Sequence, residues 1–207
     1  HLGVLGGMAV PAVQRFGYGF VQGADAAAVE MGIADQVVME YAYGNQFYGD
    51  SDITAYMDNW YQTLGVEVVF ASGGGIYTSA AEAAAKVGGK LIGVDVDQSA
   101  NIDTYGEGMC VTSAMKGLGA AVKNGLDTVN AGDWSTIAGT NGNFGLEEGD
   151  YVGLPTDEAS WNFSTFTMDE YNTVLEKIRN GEIKVDNNSD DATKPTTSSN
   201  ITVDYQV

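Results

Sequence analysis

Three short apolar segments, each ending at glycine or aspartate, constrain the fold of this 207-residue chain more than any other feature. They are residues 4–8 (Val-Leu-Gly-Gly-Met), 68–75 (Val-Val-Phe-Ala-Ser-Gly-Gly-Gly) and 91–98 (Leu-Ile-Gly-Val-Asp-Val-Asp-Gln). A parallel strand that is buried on both faces is a continuous apolar run, and its carboxyl end carries loop residues to a ligand crevice. The three segments therefore predict a binding site built from backbone and a few polar side chains.

Helix-like patterns fill the intervals between these strands. Residues 10–24 place apolar side chains at three- and four-residue spacing, and Pro11 suits the first turn of a helix. Ser79 and Glu82 are spaced as a capping box for a helix through residue 86, and Gly65 is typical of a helix end. The predicted strands cover residues 2–6, 36–43, 66–71, 90–94 and 109–113, and the remaining helices cover 53–64 and 114–129. Strands that alternate with helices across short connections predict an α/β fold, a parallel sheet with helices on both faces.

The character of the sequence changes after residue 135. We predict a ligand-binding α/β lobe over residues 1–135 and a crossover segment with a C-terminal helix over residues 136–185. That segment is rich in Gly and Asn, with an edge strand near residues 150–154 and a helix that begins at Thr167 or Asp169. Residues 186–207 form a polar tail whose composition through residue 200 indicates a linker or disorder, followed by a short terminal strand at 201–205.

Composition excludes several classes of function. The chain has 28 acidic and 9 basic residues, a formal charge of −19, which argues against nucleic acid as a partner. His1 is its single histidine, so a histidine-based catalytic triad or a multi-histidine metal site cannot form within this sequence. The single cysteine, Cys110, lies in an apolar run and is predicted to be a buried small side chain. No metal and no cofactor are expected.

Four motifs in order resemble a known family. They are residues 4–20 with Arg-Phe-Gly-Tyr-Gly-Phe at 15–20, residues 70–75, residues 93–99 and residues 112–116 (Thr-Ser-Ala-Met-Lys). Together they resemble the basic membrane lipoprotein family, which comprises solute-binding proteins of ABC transporters, including the purine nucleoside receptors. The resemblance continues more weakly through residues 178–185.

The resemblance implies two α/β lobes of a type I periplasmic-binding-protein-like fold with a ligand cleft between them. This chain is similar to the second lobe together with C-terminal elements. Its first predicted strand begins almost at residue 1. We therefore expect the first lobe to be supplied by further chain on the N-terminal side, in cis, or by another chain, in trans.

The resemblance also implies ligand-binding residues. Asp95 would accept hydrogen bonds from ligand hydroxyl groups such as those of a ribose, and Lys116, placed at a helix start, would donate near the sugar. Phe47 would stack on a purine, with Tyr48 and Tyr43 as alternatives. Asp97 is more typical of a loop cap.

Two further positions have a structural and a functional interpretation. Gly73, Gly74 and Gly75 would let a ligand approach backbone amides ahead of a helix, although a plain turn explains them equally. Met8 would lie at the floor of the cleft, or else pack in the core. No catalytic residue is predicted, and the phosphate-binding glycine motifs are missing from the sequence.

The leading functional prediction is an extracytoplasmic solute-binding protein that delivers a nucleoside-like molecule to an ABC permease by closure of two lobes. The family implies a lipid anchor at the cell membrane, which this sequence does not contain. An enzyme with a flavodoxin-like or Rossmann-like fold is the first alternative, because parallel sheets support many chemistries. A ligand-sensing domain of a regulator is the second. The leading prediction requires Asp95 and Gly74 to lie at one rim of the sheet, within reach of the same small molecule.

Overall fold

The computed structural model describes residues 1–187 and 200–206, and it centres on a seven-stranded sheet. The strands are β1 (Leu2–Gly6), β2 (Val38–Tyr43), β3 (Val68–Ser72), β4 (Lys90–Asp95), β5 (Cys110–Lys116), β6 (Val152–Gly153) and β7 (Thr202–Tyr205). Their order across the sheet is β6-β5-β4-β3-β1-β2-β7, and all neighbours are parallel except the short β6, which is antiparallel to β5. The predicted α/β class with a parallel sheet is confirmed.

Helices cover both faces of this sheet. They are α1 (Pro11–Met31), α2 (Ser51–Asp58), α3 (Tyr77–Ala85), α4 (Ser99–Ile102), α5 (Leu118–Asn130) and α6 (Met168–Arg179), and α2 continues into a π-helical segment, Asn59–Leu64. Neighbouring residues of β1 point to opposite faces, as side chains of a strand do. Val4 packs with Tyr18 and Val21 of α1, whereas Leu5 packs in the core formed with α2 and α3.

Several predicted element boundaries follow from local chemistry. Pro11 is the first residue of α1, where its missing N–H has no cost. The π-helical segment ends at Gly65 with φ of +77°, a left-handed conformation that glycine adopts without strain. Thr167 caps α6, because its side chain accepts from the Glu170 N–H while the Glu170 carboxylate accepts from the Thr167 N–H.

Two predicted boundaries are wrong. The Ser79–Glu82 capping box does not form, since α3 begins at Tyr77 and the Ser79 hydroxyl instead donates to the backbone oxygen of Asp50, 3.0 Å away. The helix predicted from residue 114 begins only at Leu118, because residues 114 and 115 still pair with β4. Lys116 is consequently the last residue of a strand rather than part of a helix start.

The C-terminal strand returns to the sheet as predicted, with β7 parallel to β2 at the edge. Asp25 of α1 fixes the two residues that precede β7. Its carboxylate accepts from the backbone N–H groups of Asn200 (2.8 Å) and Ile201 (3.0 Å) and from the Asn200 side-chain amide (2.8 Å). Most of the linker predicted over residues 186–200 lies outside the described residues. The division at residues 135 and 185 stays a prediction. Within the described part of the chain, the helices are too short or too polar to cross a bilayer.

Candidate functional site

The strand order places a crevice at the carboxyl ends of β1 and β3. The chain runs from β1 to β2 on one side and then returns across β1 to β3 on the other, so the connections reverse direction at this point. Ligands of open α/β sheets bind in the crevice at such a reversal. A cavity of about 240 Å³ occupies this position, and its wall includes Phe47, Gly73, Gly74, Asp95 and Lys116. Five of the seven predicted site residues therefore lie on one cavity, with Asp95 and Gly74 at the same rim.

Asp95 and Lys116 form the polar side of this cavity. They end the adjacent strands β4 and β5, and the Asp95 carboxylate lies 2.7 Å from the Lys116 ammonium group. The lysine also lies over the Phe16 ring, 5.4 Å from its centroid. Both charged side chains are more than a third exposed, so a ligand can reach the acceptor and the donor together. Asp95 has φ of +71°, a strained conformation for a residue with a side chain and one that is concentrated at functional sites.

The glycines of the site serve close packing between loops. A Cβ atom on Gly73 would lie 2.7 Å from the Cα and N atoms of Gly7, and one on Gly7 would lie 2.5 Å from the Phe47 ring. The Gly75 N–H donates to the backbone oxygen of Phe47 at 2.9 Å, so this glycine holds the aromatic loop instead of forming part of the cavity wall. Gly73 and Gly74 line the cavity, and Gly75 supports it from behind.

Phe47 supplies the aromatic surface of the cavity. Its side chain is 43% exposed, and its loop is fixed by the Gln46 N–H, which donates to the Gly7 oxygen at 3.1 Å. Of the two alternative aromatic residues, Tyr43 packs against the Tyr41 ring on the α1 face of the sheet. Tyr48, the next residue after Phe47, is exposed and does not belong to the described wall of the cavity. Phe47 is thus the one of the three with its ring at the cavity.

The structure places Met8 at the surface and Phe16, which the sequence analysis did not assign to the site, on the cavity wall. The described residues that line the cavities do not include Met8, and its 39% exposure contradicts the alternative of core packing. The Val10 N–H donates to the Met8 oxygen at 2.8 Å, and this tight turn leaves Met8 at the surface. Phe16 was missed, although the helical spacing of Val10, Val13 and Phe16 on one side of α1 is a signal that could have identified it.

Asp97 caps its loop, as its position suggested. Its carboxylate accepts from the Ser99 N–H at 3.0 Å and from the Ser160 hydroxyl at 2.5 Å. Burial alone would raise the pKa of Asp97, but the hydrogen bonds from Ser160 and Ser99 outweigh burial and lower the pKa below its usual value. Asp97 is therefore an ionised anchor that ties the segment around Ser160 to the loop after β4. Across residues 1–187 and 200–206, no three His, Cys, Asp or Glu side chains are grouped as a metal site.

A second, larger gap of about 670 Å³ opens beside the first between α1, α5 and residues 142–152. The two share Phe16 and Lys116. Every residue of α5 is partly or fully exposed. The large apolar residues of this helix that are at least half exposed are Leu118, Val122, Leu126 and Val129. They recur at three- and four-residue spacing and form one apolar stripe, which we call the α5 stripe.

A family model of ABC transporter substrate-binding proteins, described as PnrA-like, matches residues 1–189. The chain belongs to this family. The family is a class of transport-related binding proteins and not a class of enzymes. The fold is similar to an ABC transporter solute-binding protein from Aeropyrum pernix K1, with a TM-score of 0.68 and 22% identity over 92% of this chain. A solute-binding protein from Conexibacter woesei DSM 14684 is similar with a TM-score of 0.60 and 20% identity over 90% of this chain.

The chain spans less than two thirds of the length of either of these proteins. It covers 58% of the Aeropyrum protein and 57% of the Conexibacter protein. The likeness establishes the fold, a periplasmic solute-binding type, at this level of identity. No curated protein sequence matches the chain.

Proposed function

We propose that this chain is part of the solute-binding component of an ABC transporter and that its cavity binds a purine nucleoside or a closely related molecule. The observation that carries the proposal is the presence of Phe47, Gly74, Asp95 and Lys116 on one cavity at the carboxyl ends of the strands. A carboxylate accepts from two hydroxyl groups at once, which suits the vicinal diol of a ribose. An exposed aromatic ring offers a stacking surface for a base, a contact that contributes about 1–3 kcal/mol.

The charge balance of the cavity favours an uncharged ligand over an anionic one. The ammonium group of Lys116 is already neutralised by Asp95 at 2.7 Å. A ligand hydroxyl group can donate to the carboxylate while a second ligand oxygen accepts from the lysine, without leaving either charge uncompensated. A phosphate group would meet the Asp95 carboxylate at the same place, which is a repulsive contact.

The cavity is half of a binding cleft in this proposal, and a second α/β lobe supplies the other half. Ligand sites that enclose a small molecule have volumes of about 300–1,000 Å³, larger than the 240 Å³ found here. The α5 stripe begins two residues after Lys116. It is an exposed apolar surface of the kind that a neighbouring domain covers. The relatives with known structures have additional chain beyond the matched part. Closure of the two lobes around the ligand is the mechanism, and no bond is made or broken.

The proposal places the protein outside the cytoplasm, where it hands its ligand to the membrane-embedded permease of the transporter. A lipid anchor at the cell membrane belongs to the same proposal. Membership in the substrate-binding family supports this location and this partner.

A thermal-shift panel tests the ligand. It uses the natural protein, by which we mean the solute-binding component with both proposed lobes. The panel contains purine and pyrimidine nucleosides, free nucleobases, riboflavin and sugars. We expect at least one purine nucleoside to raise the melting temperature and the Asp95→Ala variant to lose that increase. A panel without any nucleoside response would contradict the ligand while leaving a solute-binding protein for another molecule.

The same samples discriminate against the alternative functions. Product formation from a nucleoside would favour the flavodoxin-like or Rossmann-like enzyme. Ligand-dependent binding of a kinase or a DNA operator would favour the sensor domain. The proposal predicts that the bound nucleoside is recovered unchanged.

A matched pair of variants tests the second lobe. Leu126→Gln alters the α5 stripe, and Asp127→Gln alters the adjacent exposed residue of the same helix. If a second lobe buries the stripe, Leu126→Gln lowers the unfolding free energy of the natural protein by about 2–3 kcal/mol, and Asp127→Gln changes it by less than about 0.5 kcal/mol. Neither substitution should destabilise the 207-residue chain alone. Equal destabilisation by Leu126→Gln in both forms would contradict a covering lobe.

A further inference from the structure

Gln98 lies next to the cavity without lining it, and both the oxygen and the nitrogen of its side-chain amide form hydrogen bonds. The residue is 8% exposed. Its Oε1 atom accepts from the Val94 N–H at 2.9 Å, and its Nε2 atom donates to the Gly74 oxygen at 3.3 Å. One side chain therefore connects the end of β4, directly before Asp95, to the glycine loop after β3.

The connection lies where the two strands separate. The pairing between β3 and β4 ends at Phe70 and Ile92, although both strands continue toward the cavity. Beyond that pair, the amide of Gln98 accepts from β4 and donates to the β3 loop, as a backbone peptide group does in a regular sheet. The opening that forms the cavity is thus bridged at its base by a side chain.

The surroundings of Gln98 hold it in this position. Its own N–H donates to the hydroxyl oxygen of Ser113 on β5 at 3.0 Å. A Cβ atom on Gly93 would lie 2.8 Å from the Oε1 atom of Gln98 and 2.7 Å from the Ser113 hydroxyl oxygen, so Gln98 lies flat against β4 and leaves room only for glycine. A buried side-chain amide with two fixed partners, on a residue whose backbone N–H is also bonded to β5, has little freedom to adopt another position.

We propose that Gln98 is a positioning residue that sets the distance between Gly74 and Asp95 and thereby determines how tightly the cavity holds its ligand. The role is distinct from binding, because Gln98 lies outside the described wall of the cavity. Asp95 occupies a strained left-handed conformation, which persists only where its surroundings fix it. The hydrogen bond from the Val94 N–H to Gln98 fixes the peptide group between Gly93 and Val94, one residue before Asp95. This inference rests on the proposed function.

The variant Gln98→Glu changes the hydrogen bond to Gly74 and keeps the one from Val94. A carboxylate oxygen still accepts from the Val94 N–H, but the second oxygen meets the Gly74 oxygen and repels it when the side chain is ionised. Protonation of the new carboxyl group restores a donor to Gly74. Because burial raises the pKa of a carboxyl group, this protonation occurs at mildly acidic pH.

The experiment measures the dissociation constant of the natural protein for adenosine and guanosine between pH 5 and 8. For Gln98→Glu we expect binding at least tenfold weaker than wild type at pH 8 and within threefold of wild type at pH 5. Gln98→Met, which removes both hydrogen bonds, should be weakened at every pH. Gln62→Glu makes the same change at an exposed position and should leave both dissociation constants unchanged.

Hydrogen exchange separates the failure of this inference from the failure of the proposed function. The N–H groups of Gly75 and Ile76 form backbone hydrogen bonds in the glycine loop and report on its order. In Gln98→Glu their protection should be reduced at pH 8 and recovered at pH 5, whether or not any nucleoside binds. Unchanged protection in both Gln98 variants, with unchanged dissociation constants where binding occurs, would overturn the positioning role. Nucleosides that fail to bind wild type, with protection that changes as expected, would overturn the ligand alone.

Discussion

Replacement of Gly73 by alanine tests the stacked glycine loops on which the cavity depends. The new Cβ atom would lie 2.7 Å from both the Cα and the N atom of Gly7. Carbon atoms in contact are ordinarily separated by about 3.5–4.0 Å, so the loops after β1 and β3 must move apart by nearly 1 Å. Both obstructing atoms belong to the backbone, which cannot rotate out of the way as a side chain can.

The cost of this displacement follows from overpacking in a buried site. Inserting a methyl group into a packed region costs about 1–3 kcal/mol, and a backbone obstruction places Gly73→Ala near the upper end. For a chain of this length, about 3 kcal/mol corresponds to a decrease in melting temperature of about 6–12 °C. The hydrogen bond from the Gly7 N–H to the Ser72 oxygen, 2.9 Å long, should be lost with the displacement.

The assay is differential scanning calorimetry, with Gly23→Ala as the matched control. Gly23 is an exposed residue of α1 with open space around its Cα atom, so alanine there should stabilise the helix by up to about 1 kcal/mol. The two glycine-to-alanine changes are therefore expected to have opposite signs. A melting temperature for Gly73→Ala within one degree of wild type would refute the close packing of the loops.

Three further predictions follow from individual side chains. Burial raises the pKa of Asp25, but hydrogen bonds from Asn200 and Ile201 outweigh burial and lower it overall. The stabilisation that Asp25 gives the fold is therefore full above about pH 4 and is lost as pH falls through the folded-state pKa. Asp25→Ala should cost about 3 kcal/mol of unfolding free energy at pH 7 and weaken this acid dependence in urea titrations. Burial raises the pKa of Cys110 to about 11, so iodoacetamide at pH 8 should alkylate the native thiol at least about 100-fold more slowly than the thiol in guanidinium chloride; a rapid native reaction would contradict its burial. Lys116→Met should weaken nucleoside binding at least tenfold in calorimetric titration and change the melting temperature by less than about 2 °C, because the ion pair is exposed; a large loss of stability would assign Lys116 a structural role.

The fold could be predicted because its signals are local. Apolar runs that end at glycine or aspartate identified β1, β3 and β4 to within two residues, and Pro11 and Gly65 marked the ends of helical segments. The wrong boundaries arose where distant contacts prevail over local patterns. Residues 114–116 have a sequence compatible with a helix, but pairing with β4 holds them in a strand. Ser79 matches a capping box, yet its hydroxyl group donates to the backbone oxygen of Asp50, the residue before α2.

The cavity was predictable in its polar residues and less so in its supports. Asp95 and Lys116 were assigned to the site by resemblance; the structure adds that they end neighbouring strands, although Lys116 was expected at a helix start. The sequence could not assign Gly75 to the support of Phe47, because the contact joins two loops that are almost thirty positions apart. The bridge made by Gln98 was equally hidden, since it depends on the point at which β3 and β4 separate.

We propose that Asp95 at the end of β4 recognises ligand hydroxyl groups in half of a closable cleft. A double-mutant cycle tests it most directly, with isothermal titration of a purine nucleoside and its 2′,3′-dideoxy analogue into wild type and Asp95→Ala. Hydrogen bonds to a charged group contribute about 1.5–3 kcal/mol, so loss of the hydroxyl groups should weaken wild-type binding by about 10- to 150-fold. The same loss should leave binding to Asp95→Ala nearly unchanged. Equal weakening of both proteins by the dideoxy analogue would contradict the claim.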